Sequence, residues 1–575
     1  MVKYIKVCSK QRPPRHLKLT QCFLKKHDLL AVPFDKGTGF CVMTAEKYEQ
    51  KLMDILNLPQ FEKVVVTRKN AKDCVLKEEE RVIGELSQLK KEGKVSEELF
   101  EQLRPTGSQP PRLYGLAKVH KIGVPVRPVL SMPGSPYHPT ARKVAEWLSV
   151  VPEAQINSSS KQVSDKTRTV RLEDDEVMVS FDVVSLYTHV PVKESIQDAA
   201  DRLYAGDLKT PPVDKETFVR LAELSSVNVI MSTHDGYYRQ RDGLAMGSPS
   251  APHLANVWLQ KHEPIIKDDA KMYERYMDDI LRSIKKNRVE SKLAEINSLH
   301  PNLKFTIENE QSGKLPFLDM CIVHTGNCIH STWYTKPTDT GLVMNFHALA
   351  PRKYKRSVVQ GFVHRIHRAC SDWSYFHDGV GQAKKILERN QYPPEFYEPI
   401  IATTIEKLAA PSPPLLSSSP VTLENVESSS LQIRLQYCGR ATDSVVKKLS
   451  SFETPVKTVV TLRKLKTVLP SLKPPVPKPL RSCVVYQITC PGCAASYVGQ
   501  TARHLQTRLA EHRNPKQPVG GHFKTCLDKR PDLEDIEILS STTRGVEFLM
   551  TLEALCINER EDRDSTQRMN CGVQH

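Results

Sequence analysis

Tyr276-Met277-Asp278-Asp279 places two adjacent carboxylates between an aromatic residue and the aliphatic pair Ile280-Leu281. Such a pair repels itself and is costly to fold unless turn solvation or a cation offsets the repulsion. With apolar residues on both flanks, the expected geometry is a β-hairpin that lifts Asp278 and Asp279 to the mouth of a sheet. An Asp-Asp turn taken alone is usually a solvated loop. A third carboxylate changes that reading. Asp182, in Val177-Met178-Val179-Ser180-Phe181-Asp182-Val183-Val184-Ser185-Leu186-Tyr187, follows a β-prone apolar run and can face the same point. Three carboxylates on adjacent strands form a donor set for two Mg²⁺ ions, as in-line nucleotidyl transfer requires.

The elements that must position these residues follow from periodicity and breakers. Residues 46–104 read as helical up to Pro105, after which Arg112 to Pro136 is basic and punctuated by proline. Lys118, Lys121 and Arg127 alternate there with β-formers, so they are expected on one sheet face that grips a triphosphate and a template backbone. Residues 140–170 read as helix and then as a Ser/Lys-rich loop before the Asp182 strand. Helices are expected over 193–203 and 215–224, and a hairpin from 227–232 and 236–240. The hairpin leads into Gly243-Leu244-Ala245-Met246-Gly247-Ser248-Pro249, whose small residues let the backbone approach a base pair closely, backed by an apolar helix over 251–259. Strands are expected over 303–308, 315–323 and 333–338, with Asp319 structural. Residues 352–395 read as helical and cationic, a surface suited to lie along a duplex.

The bulk numbers agree with a polyanionic partner. The 575 residues hold 82 Lys+Arg against 66 Asp+Glu, a net charge of +16, with 39% hydrophobic and 26% charged residues. That length exceeds one core, so two or three domains are expected. No run reaches the roughly 18 apolar residues of a membrane span, and Met1-Val2-Lys3-Tyr4-Ile5-Lys6 has no secretory stretch. The 14 cysteines are scattered apart from one CxxC and read as reduced intracellular thiols.

Taken in order, the segment 113–131, the Phe181-Asp182 strand, the Gly243–Pro249 loop and the Tyr276-Met277-Asp278-Asp279 hairpin resemble a reverse transcriptase. More narrowly, Phe34-Asp35-Lys36-Gly37, Tyr114-Gly115-Leu116-Ala117-Lys118-Val119-His120-Lys121, Leu315-Pro316-Phe317-Leu318-Asp319 and Lys336-Pro337-Thr338 resemble Penelope-like retroelements, relatives of telomerase reverse transcriptase. That family typically carries a C-terminal GIY-YIG endonuclease. Val484-Val485-Tyr486 and Tyr497-Val498-Gly499 stand where its two signature triplets would be, the first lacking its glycine. The resemblance implies Glu553 as the ligand of one Mg²⁺ at the scissile phosphate, Arg508 as a stabiliser of developing charge, and Tyr486 or Tyr497 as the group that positions water. Asn570 matches a late asparagine of the family. Cys490-Pro491-Gly492-Cys493 lies where such nucleases carry a zinc-binding insertion. Its two thiolates would be completed from among His512, His522 and Cys526, with His522 and Cys526 favoured for their spacing.

The resemblance implies an α+β multidomain protein: a right-hand reverse transcriptase with fingers, palm and thumb, and a small α/β nuclease. The expected units are a basic and helical region (1–110), fingers and palm (111–345), a helical thumb (346–408), a Pro/Ser-rich basic linker (409–480) and the nuclease (481–575). Asp182 and Asp278 would be the main ligands of two Mg²⁺, which would activate a primer 3′-hydroxyl and hold the triphosphate, with Asp279 in support. Lys118, Lys121, Arg127 and Lys336 would neutralise the triphosphate, Tyr187 would exclude a 2′-hydroxyl, and Met246 and Gly247 would contact the nascent pair. Template RNA, target DNA and deoxynucleoside triphosphates are the implied partners, with no membrane. The nucleus is the implied location. Rival readings are a decayed copy that only binds nucleic acid, against which the intact carboxylates argue, and a cellular telomerase-type polymerase, against which the nuclease argues. Family members usually carry more sequence before Phe34, so an N-terminal truncation is also expected.

Overall fold

Apolar side chains from the first half of the chain gather into one large core, and the acidic strands are laid across it. The computed structural model describes residues 15–65, 71–155, 157–206, 208–410, 432–451, 457–462, 469–542 and 545–561. Asn570 and residues 411–431, 452–456 and 463–468 of the expected Pro/Ser-rich linker lie outside the described residues.

Strands β1 (Leu29–Pro33) and β2 (Phe40–Thr44) form an antiparallel pair. A five-stranded sheet takes β3 (Phe61–Val64), β4 (Arg112–Ala117) and β5 (Val126–Ser131), and later β7 (Val229–Ser232) and β8 (Tyr237–Gln240), in the order β3-β8-β7-β4-β5. Between them in sequence comes β6 (Glu176–Val183), which enters a four-stranded sheet with β9 (Tyr273–Tyr276), β10 (Asp279–Lys285) and β11 (Phe305–Asn309), ordered β11-β6-β10-β9.

Alternation along β6 explains its place. Val179, Phe181 and Val183 enter the large core, while Met178 faces a second core on the opposite side, the face that ends in Asp182. That second core also takes the meander β12 (Lys314–Phe317), β13 (Met320–Thr325) and β14 (Cys328–Trp333), covered by helices Arg352–Ala369, Trp373–Arg389 and Pro394–Ala409. A parallel pair, β15 (Gln432–Gln436) and β16 (Lys457–Thr461), follows. The C-terminal body is a sheet β18-β17-β19, from β17 (Val484–Thr489), β18 (Ser496–Thr501) and β19 (Ile536–Ser541), with helices Leu505–His512, Pro518–Leu527 and Val546–Glu561. Among the described residues, no helix is long and apolar enough to cross a membrane.

Three expectations are corrected. The helical stretch expected over 46–104 is interrupted: helix Ala45–Leu56 ends at its Asn57 cap, ahead of Pro59, and β3 pairs with β8. The Ser/Lys-rich loop before Asp182 is instead the helix Ser160–Thr169. A capping box between Ser159 and Gln162 starts it, and buried Val163 anchors it in the second core. The strand expected over 333–338 ends at Trp333; Pro337 cannot donate to a ladder, and Lys336 is left in an irregular crossing segment.

Candidate active site

Asp182 and Asp279 stand directly opposite each other across the β6–β10 ladder, and Asp278 occupies the two-residue turn between β9 and β10. Like charges facing across strands are destabilising. The fold nevertheless brings ligand oxygens of Asp182, Asp278 and Asp279 within 4.8 Å of one another. The turn is forced into shape by its surroundings. Met277 adopts a left-handed φ of 55°, a conformation that a non-glycine residue holds only when its neighbours dictate it. The Met277 N–H donates to Asn157 Oδ1 at 2.8 Å, and the Val183 N–H donates to the Asp278 carbonyl at 3.0 Å.

Beneath the turn lies Arg275, whose side chain is fully buried. Its guanidinium donates to Asn256 Oδ1 (3.0 Å) and to the Met277 carbonyl (3.3 Å), and it pairs with Glu263 at 3.2 Å. Neither Arg275 nor Asn157 was marked by sequence pattern. An arginine between a glutamate and a tyrosine reads as a surface strand residue until its burial is known.

The charges show what the cluster lacks. Burial, then Asp278 and Asp182, push Asp279 up to about 6, against the pull of Lys36 and Lys336. Burial and then Asp278 also raise Asp182, opposed by Lys36, Lys121 and Arg127. Tyr187 is pushed up to about 12 by burial and by Asp278, so its phenol stays protonated. On the other side, Lys336 is lowered by burial and by the adjacent Lys36. Lys118 is lowered by burial and by Arg127 and Lys121. Carboxylates and cations are thus each crowded with their own kind. A divalent cation would relieve the first group and a polyphosphate the second. Three carboxylate oxygens are hard donors of the kind Mg²⁺ takes, so the residues fit that ion.

The cation set differs from the sequence reading. Lys118 and Lys121 lie in the β4–β5 connection rather than alternating along a strand face. Arg127, on β5, is not free: its Nε pairs with Asp35 at 3.0 Å, the Asp35 side chain being 4% exposed. Lys36, which carried no assigned role, is the cation that bears on both Asp182 and Asp279. It arrives from some 150 residues away in sequence because the β1–β2 turn is tied on one side to β4, where Asp35 N–H donates to the Ala117 carbonyl at 2.9 Å. On the other side Thr340 Oγ1 donates to the Thr38 carbonyl, also at 2.9 Å.

The glycine loop closes the site. Leu130 N–H donates to the Met246 carbonyl at 2.7 Å, and Leu244 N–H donates to the Tyr187 carbonyl at 2.6 Å. Gly247 has φ 121°, and a Cβ there would sit 2.1 Å from the Leu130 carbonyl oxygen. Gly247→Ala is therefore expected to cost roughly 2–3 kcal/mol and to part this loop from β5, read as a lowered denaturation midpoint.

Asp279 also sets a pH dependence. Its folded pKa lies above the ordinary 3.8, so its stabilising contribution is full below about pH 4 and is lost as pH rises through about 6. Without a divalent ion this costs on the order of 2 kcal/mol at neutral pH. Saturating Mg²⁺ should raise the melting temperature at pH 7.5 and leave it unchanged at pH 5. An equal rise at both would remove Asp279 from the ion's ligands.

A second cluster lies in the C-terminal body. Tyr486 is buried at the centre of the sheet, where its hydroxyl accepts from Arg508 Nε (3.1 Å) and lies 2.7 Å from His512 Nε2. Burial, and then Arg508, hold His512 down to about 4, while burial pushes Tyr486 above its ordinary value. Both groups are neutral, so the phenol donates to an unprotonated imidazole. Tyr497 packs 5.1 Å from the His512 ring, and Gly499 leaves room for both tyrosines: a Cβ there would meet the Tyr497 ring at 2.6 Å. Arg508 also pairs with Glu511 at 2.7 Å. Glu553 is half-buried on helix Val546–Glu561 and acts electrostatically on Tyr486.

Cys490, Cys493, His522 and Cys526 bring their ligand atoms within 4.8 Å of one another, with Cys493 Sγ 3.2 Å from His522 Nε2. Three sulfurs and an imidazole suit Zn²⁺. His512, the alternative fourth ligand, is engaged by Tyr486 instead.

Comparison with known proteins adds limited likenesses. The animal helix-turn-helix domain family matches residues 342–402, the stretch that holds helices Arg352–Ala369 and Trp373–Arg389, and describes that segment alone. No curated protein sequence matches the chain. Among solved structures, a telomerase from Candida albicans in complex with a telomeric RNA fragment aligns at 11% identity and a TM-score of 0.41, covering 68% of this chain and 65% of that one. An apo telomerase from Candida tropicalis aligns at 9% and 0.37, covering 66% and 68%. A sicinivirus RNA-dependent RNA polymerase aligns at 13% and 0.32, covering 54% and 71%. The chain thus spans just under two thirds of the first of these. At such scores the likenesses carry no assignment, and the chemistry must be argued from the residues themselves.

Proposed function

We propose that the chain is the RNA-directed DNA polymerase of a Penelope-like retroelement, joined to a GIY-YIG endonuclease that nicks DNA to supply the primer. The observation that carries the polymerase reading is the convergence of Asp182, Asp278 and Asp279 opposite one another and beside Lys36, Lys336 and Lys121. A protein that merely binds a polyanion has no use for a clustered, mutually repelling carboxylate trio, whereas nucleotidyl transfer does. In this reading the β3–β8–β7–β4–β5 sheet serves as fingers, the Asp sheet as palm and the helices from Arg352 to Ala409 as thumb.

Bound Mg²⁺ supplies Lewis acidity toward the primer hydroxyl and the triphosphate. The protein's own residues do the rest. Asp182, Asp278 and Asp279 would hold the ions, and Lys36 and Lys336 meet the triphosphate charge, which lifts their mutual repulsion. Arg127 is oriented by Asp35 rather than free to move. Tyr187, a neutral, half-buried phenol beside Asp278, limits the space at the sugar. The Met246-Gly247 backbone, hydrogen-bonded to β5, forms the floor under the nascent pair.

In the C-terminal body, Tyr486, Arg508 and Glu553 support the nuclease reading. The phenol is fixed between Arg508 and a neutral His512, which leaves its oxygen able to position water while Arg508 meets charge on a phosphate. Glu553 is the carboxylate for one Mg²⁺. Cys490, Cys493, His522 and Cys526 would hold Zn²⁺ as a structural ion. Both activities act on nucleic acid in the nucleus.

Primer extension on an RNA template with Mg²⁺ and dNTPs tests the polymerase; a folded protein that extends no primer sinks it. Relaxation of supercoiled plasmid tests the nuclease. Glu553→Ala and Tyr486→Phe are each expected to slow nicking by about 100-fold with extension intact, and nicking unaltered by both would refute these assignments.

A further inference from the structure

The C-terminal body is seated against the five-stranded sheet, and the seam encloses a cavity that none of the roles above uses. His504 Nε2 lies 2.6 Å from the Ser108 carbonyl oxygen. A Cβ on Gly107 would meet the Ala502 carbonyl at 2.4 Å, and Leu472 packs into the large core. Between these contacts is a space of about 400 Å³ walled by Arg112, Arg481, Lys473, His234 and Gln109, with no carboxylate among its lining residues.

Its two guanidinium groups stand without carboxylate partners among the described residues. Arg112 is half-buried and has no ion pair among the described residues; its guanidinium is disfavoured by burial and by neighbouring Arg481. Lys473 is held in place, its ammonium donating to Ser131 Oγ at 2.8 Å and lying 5.2 Å from the Tyr114 ring centroid. Two arginines, a lysine and a histidine around one cavity call for an anion, and guanidinium pairs favour phosphate.

The register says where the cavity lies relative to the aspartates. Arg112 pairs with Ser131 and Leu116 with Arg127, and these cross-strand pairs share one sheet face. Arg127 bears on Asp182. From Arg127 to Ser131 is four residues of strand, about 13 Å, or roughly four stacked nucleotides. We propose that this cavity is a backbone-phosphate site for single-stranded nucleic acid held between the Asp182 centre and the C-terminal body. Its size suits one nucleotide unit of a strand rather than the two backbones of a duplex. The strand's direction relative to Asp182 rests on the polymerase reading; the phosphate site does not.

The test uses the full chain in Mg²⁺-free buffer and a fluorescein-labelled single-stranded RNA, read by anisotropy over a salt series. Arg112→Gln with Arg481→Gln is expected to weaken binding about 10-fold and to flatten the slope of log Kd against log salt by about 1.4, two phosphates' worth for a single strand. Arg112→Lys with Arg481→Lys should restore most of the slope. Unchanged affinity and slope in the Gln pair would overturn the proposal, as would an equal loss in the Lys pair, which would mark a structural effect. Weakened binding of a free dNTP without weakened RNA binding would make the cavity a nucleotide pocket and overturn the strand assignment. Because the readout is binding, a wild type that binds RNA here yet extends no primer would sink the polymerase reading and leave this site standing.

Discussion

Asp278→Asn is expected to reduce primer extension by roughly 10³-fold or more, about 4 kcal/mol of barrier, while making the Mg²⁺-free protein more stable. Both halves come from one geometry. Asp278 is among the largest causes raising both Asp182 and Asp279, so removing its charge relieves repulsion that the fold otherwise carries. The turn itself should survive, because it is held through backbone atoms: Asn157 on the Met277 N–H, Arg275 on the Met277 carbonyl, and Val183 on the Asp278 carbonyl. Relief of about 1 kcal/mol corresponds to a rise of a few degrees in Tm. Extension rates and Mg²⁺-free melting curves check the pair of outcomes. Retained extension removes Asp278 from the chemistry. Lost extension with lowered Tm would mean that the substitution broke the turn instead.

Removal of the zinc ligands has the second large effect, confined to one end of the molecule. Structural zinc sites carry on the order of 10 kcal/mol of folding free energy, and this C-terminal body has small cores to fall back on. The four donors are poorly matched without a cation. Burial raises the Cys490 thiol, but the backbone of Cys493 and Gly492 together with His522 outweigh it and bring Cys490 down to about 7. Its neighbours Cys493 and Cys490 push Cys526 up to about 11. Cys490→Ser should lose a stoichiometric zinc by elemental analysis, expose residues 481–561 to proteolysis and abolish plasmid nicking. Extension at saturating template should stay within about twofold, since the Asp182 sheet belongs to a separate core and the loss of Arg481 weakens template binding rather than the chemical step. Zinc-free wild type with an intact, protease-resistant C-terminal body would end the zinc assignment.

How far the chain could be read without its fold varies residue by residue. The Asp278–Asp279 hairpin was legible because its signal is local: apolar residues on either side of a polar pair specify strand, turn and strand. The CxxC and the helix over 251–260 were legible for the same reason. Ser160–Thr169 has the composition of a loop but folds as a helix because Ser159 and Gln162 cap its start. The functional weight of Lys36, the Asp35 partner of Arg127 and the buried Arg275 were out of reach, since each depends on segments far apart in sequence, whereas the spacing of His522 and Cys526 already favoured His522 over His512. Local pattern determined which residue types stood on strands and turns. Only tertiary packing decided which charges met, because burial and the approach of distant charges set the energies of Asp182, Asp279 and Arg112.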